Sequence, residues 1–98
     1  MIQSFATRGT RAVFDSTDSK AARHTCPQSL WKVARRKLDQ LNQAHVLDDL
    51  RAPPANRLEK LRADRVGQHS IRINDQYRVC FSWTPTGPTN VEIVDYHN

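Results

Sequence analysis

A chain of 98 residues allows one domain, and 38% hydrophobic content supports one modest core. No apolar run exceeds three residues (Val79-Cys80-Phe81 is one), so no membrane-spanning helix is expected, and two cysteines exclude a disulfide framework or a Cys-rich zinc site. The 15 Lys and Arg exceed the 10 Asp and Glu by 5, which favours a polyanionic partner, nucleic acid first.

Met1-Ile2-Gln3-Ser4-Phe5 lacks the apolar core of a signal peptide, so a cytoplasmic protein is expected. Residues 2–5 suit a short opening strand. Thr7 suits the N-cap of a helix running to about Asp15, with Ala12, Val13 and Phe14 as apolar contacts. Residues 15–25 are polar and read as a loop. Pro27 fits the first turn of a second helix, on which Leu30, Ala34, Leu38 and Leu41 form one stripe at helical period. Lys32, Arg35, Arg36 and Lys37 decorate the rest of that helix, and Pro53-Pro54 ends any helix that reaches them. The period then changes to two. Leu58 and Leu61 flank a charged stretch read as a short strand and loop, punctuated by Gly67. Ile71 and Ile73 belong to a half-buried strand, 74–76 to a tight turn, and Tyr77, Val79, Phe81 and Trp83 to a long strand. Residues 84–90 read as a second hairpin loop before a last strand from Val91. The expected fold is α+β, with two N-terminal helices packed on an antiparallel sheet over residues 1–98.

Two groups of residues can carry chemistry. The chain ends Asp95-Tyr96-His97-Asn98: an imidazole that titrates near neutrality, beside a ring able to stack on a base or donate a proton. Strand alternation sends Asp95 and His97 to one side and Tyr96 to the other. Spacing alone leaves these residues equally readable as a polar tail. The second group is basic: Arg57, Lys60, Arg62, Arg65, Arg72 and Arg78 lie within 22 residues. Arg72 and Arg78 flank the 74–76 turn, so a hairpin sets both on one face. Such a patch grips phosphates and stabilises a dianionic phosphorane, or is simply a solvated sheet face. His24, His45 and His69 have no metal-ligand spacing, and no metal site is expected. Cys80 reads as a structural thiol, and Trp31 and Trp83 as packing residues.

The run from Leu61 through Asn74, then Tyr77-Arg78-Val79 and the closing Val91 to His97, resembles the HigB toxins of the RelE-like superfamily. Met1 to Phe5 also looks like that family's start. The resemblance implies a RelE-like fold and a toxin of a type II toxin–antitoxin system that cuts messenger RNA in the ribosomal A site, without metal or cofactor. It implies as partners the ribosome and mRNA, a HigA-like helix-turn-helix antitoxin, and operator DNA only through that antitoxin. Carried over by motif, Arg78, Asp95, Tyr96 and His97 match residues the family uses. The chain departs elsewhere: Glu59 stands where relatives often carry histidine, Arg62 where they carry lysine, Ala63 in place of glycine, and His69 where Trp or Tyr is common.

The expected catalytic residues are therefore Glu59, Arg62, Arg78, Asp95, Tyr96 and His97, with Arg57, Lys60, Arg65 and Arg72 binding RNA. Metal-free RNA cleavage needs a base for the 2′-hydroxyl, cations for the phosphorane and an acid for the 5′-oxygen. Glu59 is capable of the first role and His97 of the last. A non-cleaving RNA- or ribosome-binding growth inhibitor is the alternative, favoured by the missing family histidine. A DNA-binding regulator is disfavoured, because one long helix without a helix-turn-helix partner is visible.

Overall fold

The computed structural model of the protein describes residues 1–96, so the expectations placed on His97 lie outside the described residues. Helix α1 spans Arg8–Phe14, α2 Lys20–Thr25 and α3 Trp31–Gln43. Strands β1 (Glu59–Lys60), β2 (Gln68–Arg72), β3 (Tyr77–Thr84) and β4 (Gly87–Asp95) form one antiparallel sheet in the order β1-β2-β3-β4.

The α+β expectation holds, with three helices instead of two. Thr7 caps α1, its hydroxyl accepting from Thr10 N at 3.2 Å. The second helix, with His24 in its last turn, lies inside the stretch read as a loop. Ser19 caps it by accepting from Ala22 N, and Ala22 is fully buried. A short α-helix with a side-chain cap and one small buried residue carries too little apolar periodicity to stand out in sequence. Gly9 makes room for it: a Cβ there would collide with Thr25 Oγ1 and the Ala21 carbonyl. Before α3, Pro27 precedes a single 3-10 turn, Gln28–Leu30.

The core lies between the helices and one face of the sheet. Leu38 and Leu41 of α3 are fully buried in one cluster with Ile71, Val79, Phe81 and Val91. Each such side chain contributes roughly 1.5–3 kcal/mol by leaving water. Trp31 and Trp83 pack against this cluster, as expected. Lys37, read as surface decoration, is a correction: it is buried, its ammonium donating to Asn56 Oδ1 at 2.6 Å.

The opening residues do not form a strand of their own. Phe5 makes one parallel bridge to Val91, and Gln3 N and Ala6 N donate to the Pro88 and Val91 carbonyls, which covers the outer edge of β4. The second hairpin loop is shorter than the expected 84–90. Thr84 pairs with Gly87 around Pro85-Thr86, and Thr84 Oγ1 donates to the Gly87 carbonyl at 2.7 Å. Pro88 is tolerated in the strand because it sits near the edge, where its missing N–H breaks no central ladder. No described helix is long and apolar enough to cross a membrane.

Candidate active site

Alternation sends Ile71, Val79 and Ile93 into the core and leaves Ser70, Arg72, Arg78, Cys80, Glu92 and Val94 on the sheet's other face. Register aligns Glu59 with Ser70, Ser70 with Cys80, and Cys80 with Glu92. One row of side chains thus crosses all four strands. Arg72 and Arg78 are direct partners across the β2–β3 hairpin, as the sequence suggested.

Arg78 is the best-fixed cation on this face, with its side chain 11% exposed. Its Nε donates to Ser70 Oγ at 2.7 Å, and its Nη2 to the Arg57 carbonyl at 2.6 Å and the Ser70 carbonyl at 3.4 Å. Arg57 reaches it from a left-handed backbone conformation, φ 45°. Glu59 Oε1 lies 4.0 Å from Arg78 Nη2, and its side chain is 57% exposed. The ion pair that Glu59 forms is therefore with Arg78, not with Arg62 three positions away.

Beside this pair is a cleft of about 390 Å³ lined by Leu61, Arg62, Asp64, Arg65, Val94, Asp95 and Tyr96. The β1–β2 loop supplies the arginines. Leu61 N donates to the Gln68 carbonyl, and the loop between them folds over a 3-10 turn, Ala63–Arg65. Ala63 sits at φ 57°, a left-handed conformation that favours glycine. Arg65 is held by Glu92 at 3.3 Å and Gln68 at 3.0 Å.

Tyr96 and Asp95 both line this cleft, although strand alternation alone sends them to opposite sides. Tyr96 Oη shares a hydrogen bond with Cys80 Sγ at 3.4 Å, and the residue as a whole is 37% exposed. Burial, then the contact with Cys80, pushes the Tyr96 hydroxyl up to about 12. It is a neutral group at physiological pH, suited to stacking and hydrogen-bond donation. Burial also pushes the Cys80 thiol up, against the opposing pull of Tyr96, Arg65 and Arg78. A thiol held protonated is a poor nucleophile, in line with a structural role. The Asp95 carboxylate accepts from Gln76 Nε2 at 3.2 Å.

The structure thus brings together Glu59, Arg78 and the Arg57 carbonyl, and beside them Arg62, Arg65, Asp95 and Tyr96. One expected residue lies apart from these groups: Lys60 pairs in register with His69, on the alternate side of β1 from Glu59. Arg72 is beside Arg78 across the hairpin, but its guanidinium is ion-paired to Asp75 in the turn. Ser70, Glu92 and Gln68 were missed by sequence reasoning. Strand alternation marks Ser70 and Glu92 as non-core, but only the cross-strand register shows which arginine each one holds. Among the described residues, no three His, Cys, Asp or Glu side chains group as a metal site would require.

Known proteins share the fold and parts of the sequence. A chain of the YoeB–YefM complex from Staphylococcus aureus shares the fold, with a TM-score of 0.60 at 13% identity over 100% of this chain and 99% of that one. Toxin HigB-1 of Vibrio cholerae is 46% identical over 57 residues, 58% of this chain and 60% of that protein. An uncharacterized protein of Haemophilus influenzae is 44% identical over 57 residues, 58% of this chain and 56% of that protein. The chain thus aligns with little more than half the length of these two relatives. The family model for HigB-like toxins, the RelE-like toxins of type II toxin–antitoxin systems, matches residues 3–97. The chain belongs to that family.

Proposed function

We propose that the protein is a ribosome-dependent endoribonuclease that cuts messenger RNA in the A site. The observation that carries this reading is the pairing of Glu59 with a braced, largely buried Arg78 beside a cleft edged by Arg62, Arg65 and Tyr96. In the reaction, the 2′-oxygen attacks the adjacent phosphorus as its proton passes to the Glu59 carboxylate. The phosphorus–5′-oxygen bond breaks, and His97 returns a proton to the leaving oxygen. The products are a 2′,3′-cyclic phosphate and a 5′-hydroxyl. Arg78 offers its remaining guanidinium N–H groups to the phosphorane oxygens; its Nη1 donates to no described residue. Arg62, exposed at the cleft, supplies a second, bidentate-capable cation where relatives use lysine. Tyr96, neutral and partly exposed, is the stacking surface for a codon base.

The exposure of the site supports a reading in which the ribosome presents the message. Arg78 and Arg65 are anchored, but Glu59 is exposed and the cleft is open, so a docked message is what orders substrate and base together. The partner in the resting cell is a HigA-like helix-turn-helix antitoxin, which carries the toxin to operator DNA, and the site of action is the cytoplasm. Primer extension on a translated message tests the reading. New 5′ ends within codons are expected only when ribosomes and wild-type protein are both present. Growth inhibition with bound ribosomes and no new ends would instead establish the non-cleaving inhibitor, the outcome that glutamate in place of the family histidine favours.

A further inference from the structure

Lys37 is buried on α3 without a carboxylate partner among the described residues, and the charges of Arg36 and Arg72 that act on it are both positive. Burial and these two neighbours lower its pKa. A buried ammonium surrounded this way costs stability, so a specific contact must hold it in place. That contact is Asn56 Oδ1 at 2.6 Å.

Asn56 is itself fully buried, and its amide is fully used. Its Nδ2 lies within hydrogen-bond reach of Gln40 Oε1 at 3.1 Å, the Leu50 carbonyl at 3.2 Å and the Ala52 carbonyl at 3.3 Å. One side chain therefore ties α3 to the carbonyls of Leu50 and Ala52, in the segment that leads from α3 to the sheet. The next residue is Arg57, whose left-handed backbone hands its carbonyl to Arg78. The path from Lys37 to Arg78 is thus two side-chain contacts and one peptide unit.

We infer that Asn56, clamped by Lys37, is a positioning residue that sets the Arg57 carbonyl, and through it the guanidinium of Arg78, beside Glu59. The inference rests on the reading of Arg78 as a phosphate-contacting group in RNA cleavage. With the Arg57 carbonyl displaced, the Arg78 guanidinium keeps its Ser70 contacts but loses the acceptor at 2.6 Å that fixes Nη2, and a 1 Å misplacement of such a group is enough to slow chemistry about 10²-fold.

Two variants of the full-length protein test this, Lys37→Met and Gln40→Ala. The second removes one half-buried contact of Asn56 and leaves Lys37 paired, so it folds even where the first does not. The readouts are the nitrogen-15 and proton resonances of the Arg78 side chain, and the kcat and KM for cleavage of message on ribosomes. Expected are faster solvent exchange at the Arg78 guanidinium in both variants and a kcat at least tenfold lower in Lys37→Met, with KM within about twofold of wild type. A smaller fall of the same kind is expected in Gln40→Ala. Unchanged Arg78 resonances in a folded variant overturn the positioning role, whether or not the wild-type protein cleaves RNA. Altered resonances with unchanged kcat in a cleaving protein overturn its service to the chemistry. A wild-type protein that does not cleave overturns the functional reading and leaves the resonance test of positioning intact.

Discussion

Arg78 and Ser70 lie diagonally across β2 and β3, and the serine holds the arginine twice, through Oγ at 2.7 Å and through its carbonyl at 3.4 Å. Ser70 is fully buried, so this contact is sheltered from water on one side. Ser70→Ala leaves the Arg78 Nε–H without its acceptor. Loss of a partner to a charged donor costs about 1–3 kcal/mol, and thermal unfolding is expected to show it as a clear fall in Tm. RNA cleavage is expected to fall severalfold at temperatures where the variant stays folded. Full activity in a folded Ser70→Ala protein would mean that Arg78 needs no bracing.

Ala63 occupies a left-handed backbone position, which glycine adopts without a Cβ penalty. A Cβ in that region costs roughly 1–2 kcal/mol, partly offset in Ala63→Gly by the greater freedom of an unfolded glycine. The substitution is expected to stabilise the protein by about 0.5–1 kcal/mol in urea unfolding, with Arg62 and Arg65 still presented to the cleft. A destabilised variant would show that the Ala63 methyl group makes a contact worth more than the strain.

His69 stacks on Phe81 at 6.2 Å between centroids, stands opposite Lys60 in register, and buries Nδ1 without a hydrogen-bond partner. Burial, then Lys60, pushes its pKa below the ordinary 6.5. The folded protein therefore keeps His69 neutral at a pH where the unfolded chain already takes up the proton. That contribution to stability is complete above the unfolded value of about 6.5 and is lost as the pH falls from there through the lowered folded-state pKa. Urea unfolding of wild type against His69→Phe between about pH 7 and pH 5 checks this; the variant is expected to show the flatter profile. Parallel profiles would assign the acid sensitivity to other groups.

Legibility in the sequence followed the range of each interaction. The Thr7 cap, the stripe Leu30-Ala34-Leu38-Leu41 and the partnership of Arg72 with Arg78 are local or separated by one turn, and residue type and period reveal them. Lys37 was misread although its spacing carried the signal: it lies three residues after Ala34 and four before Leu41, on the buried stripe itself. Its polarity concealed its burial, and only the distant Asn56 makes that burial tolerable. The short helix α2 depends on Gly9 letting two backbones approach, which is a tertiary fact. At the site, residue chemistry singled out the arginines and Tyr96. Which acceptor holds each arginine depends on strand register and on one left-handed residue, and no local pattern encodes those.

In the cleavage proposed above, the sheet face around Arg78, and not diffuse positive charge, performs the chemistry. Single-turnover cleavage of ribosome-bound message by Arg78→Ala and by Lys32→Ala separates the two. Lys32 is an exposed cation on α3, on the other side of the molecule's core from this face. Loss of one positioned donor to a developing anion typically costs 10²–10³-fold, so Arg78→Ala is expected to slow cleavage by about 10²-fold or more. Lys32→Ala is expected to stay within about threefold of wild type, the effect of one surface charge on association. Equal losses in the two variants would contradict a cleavage site built on Arg78.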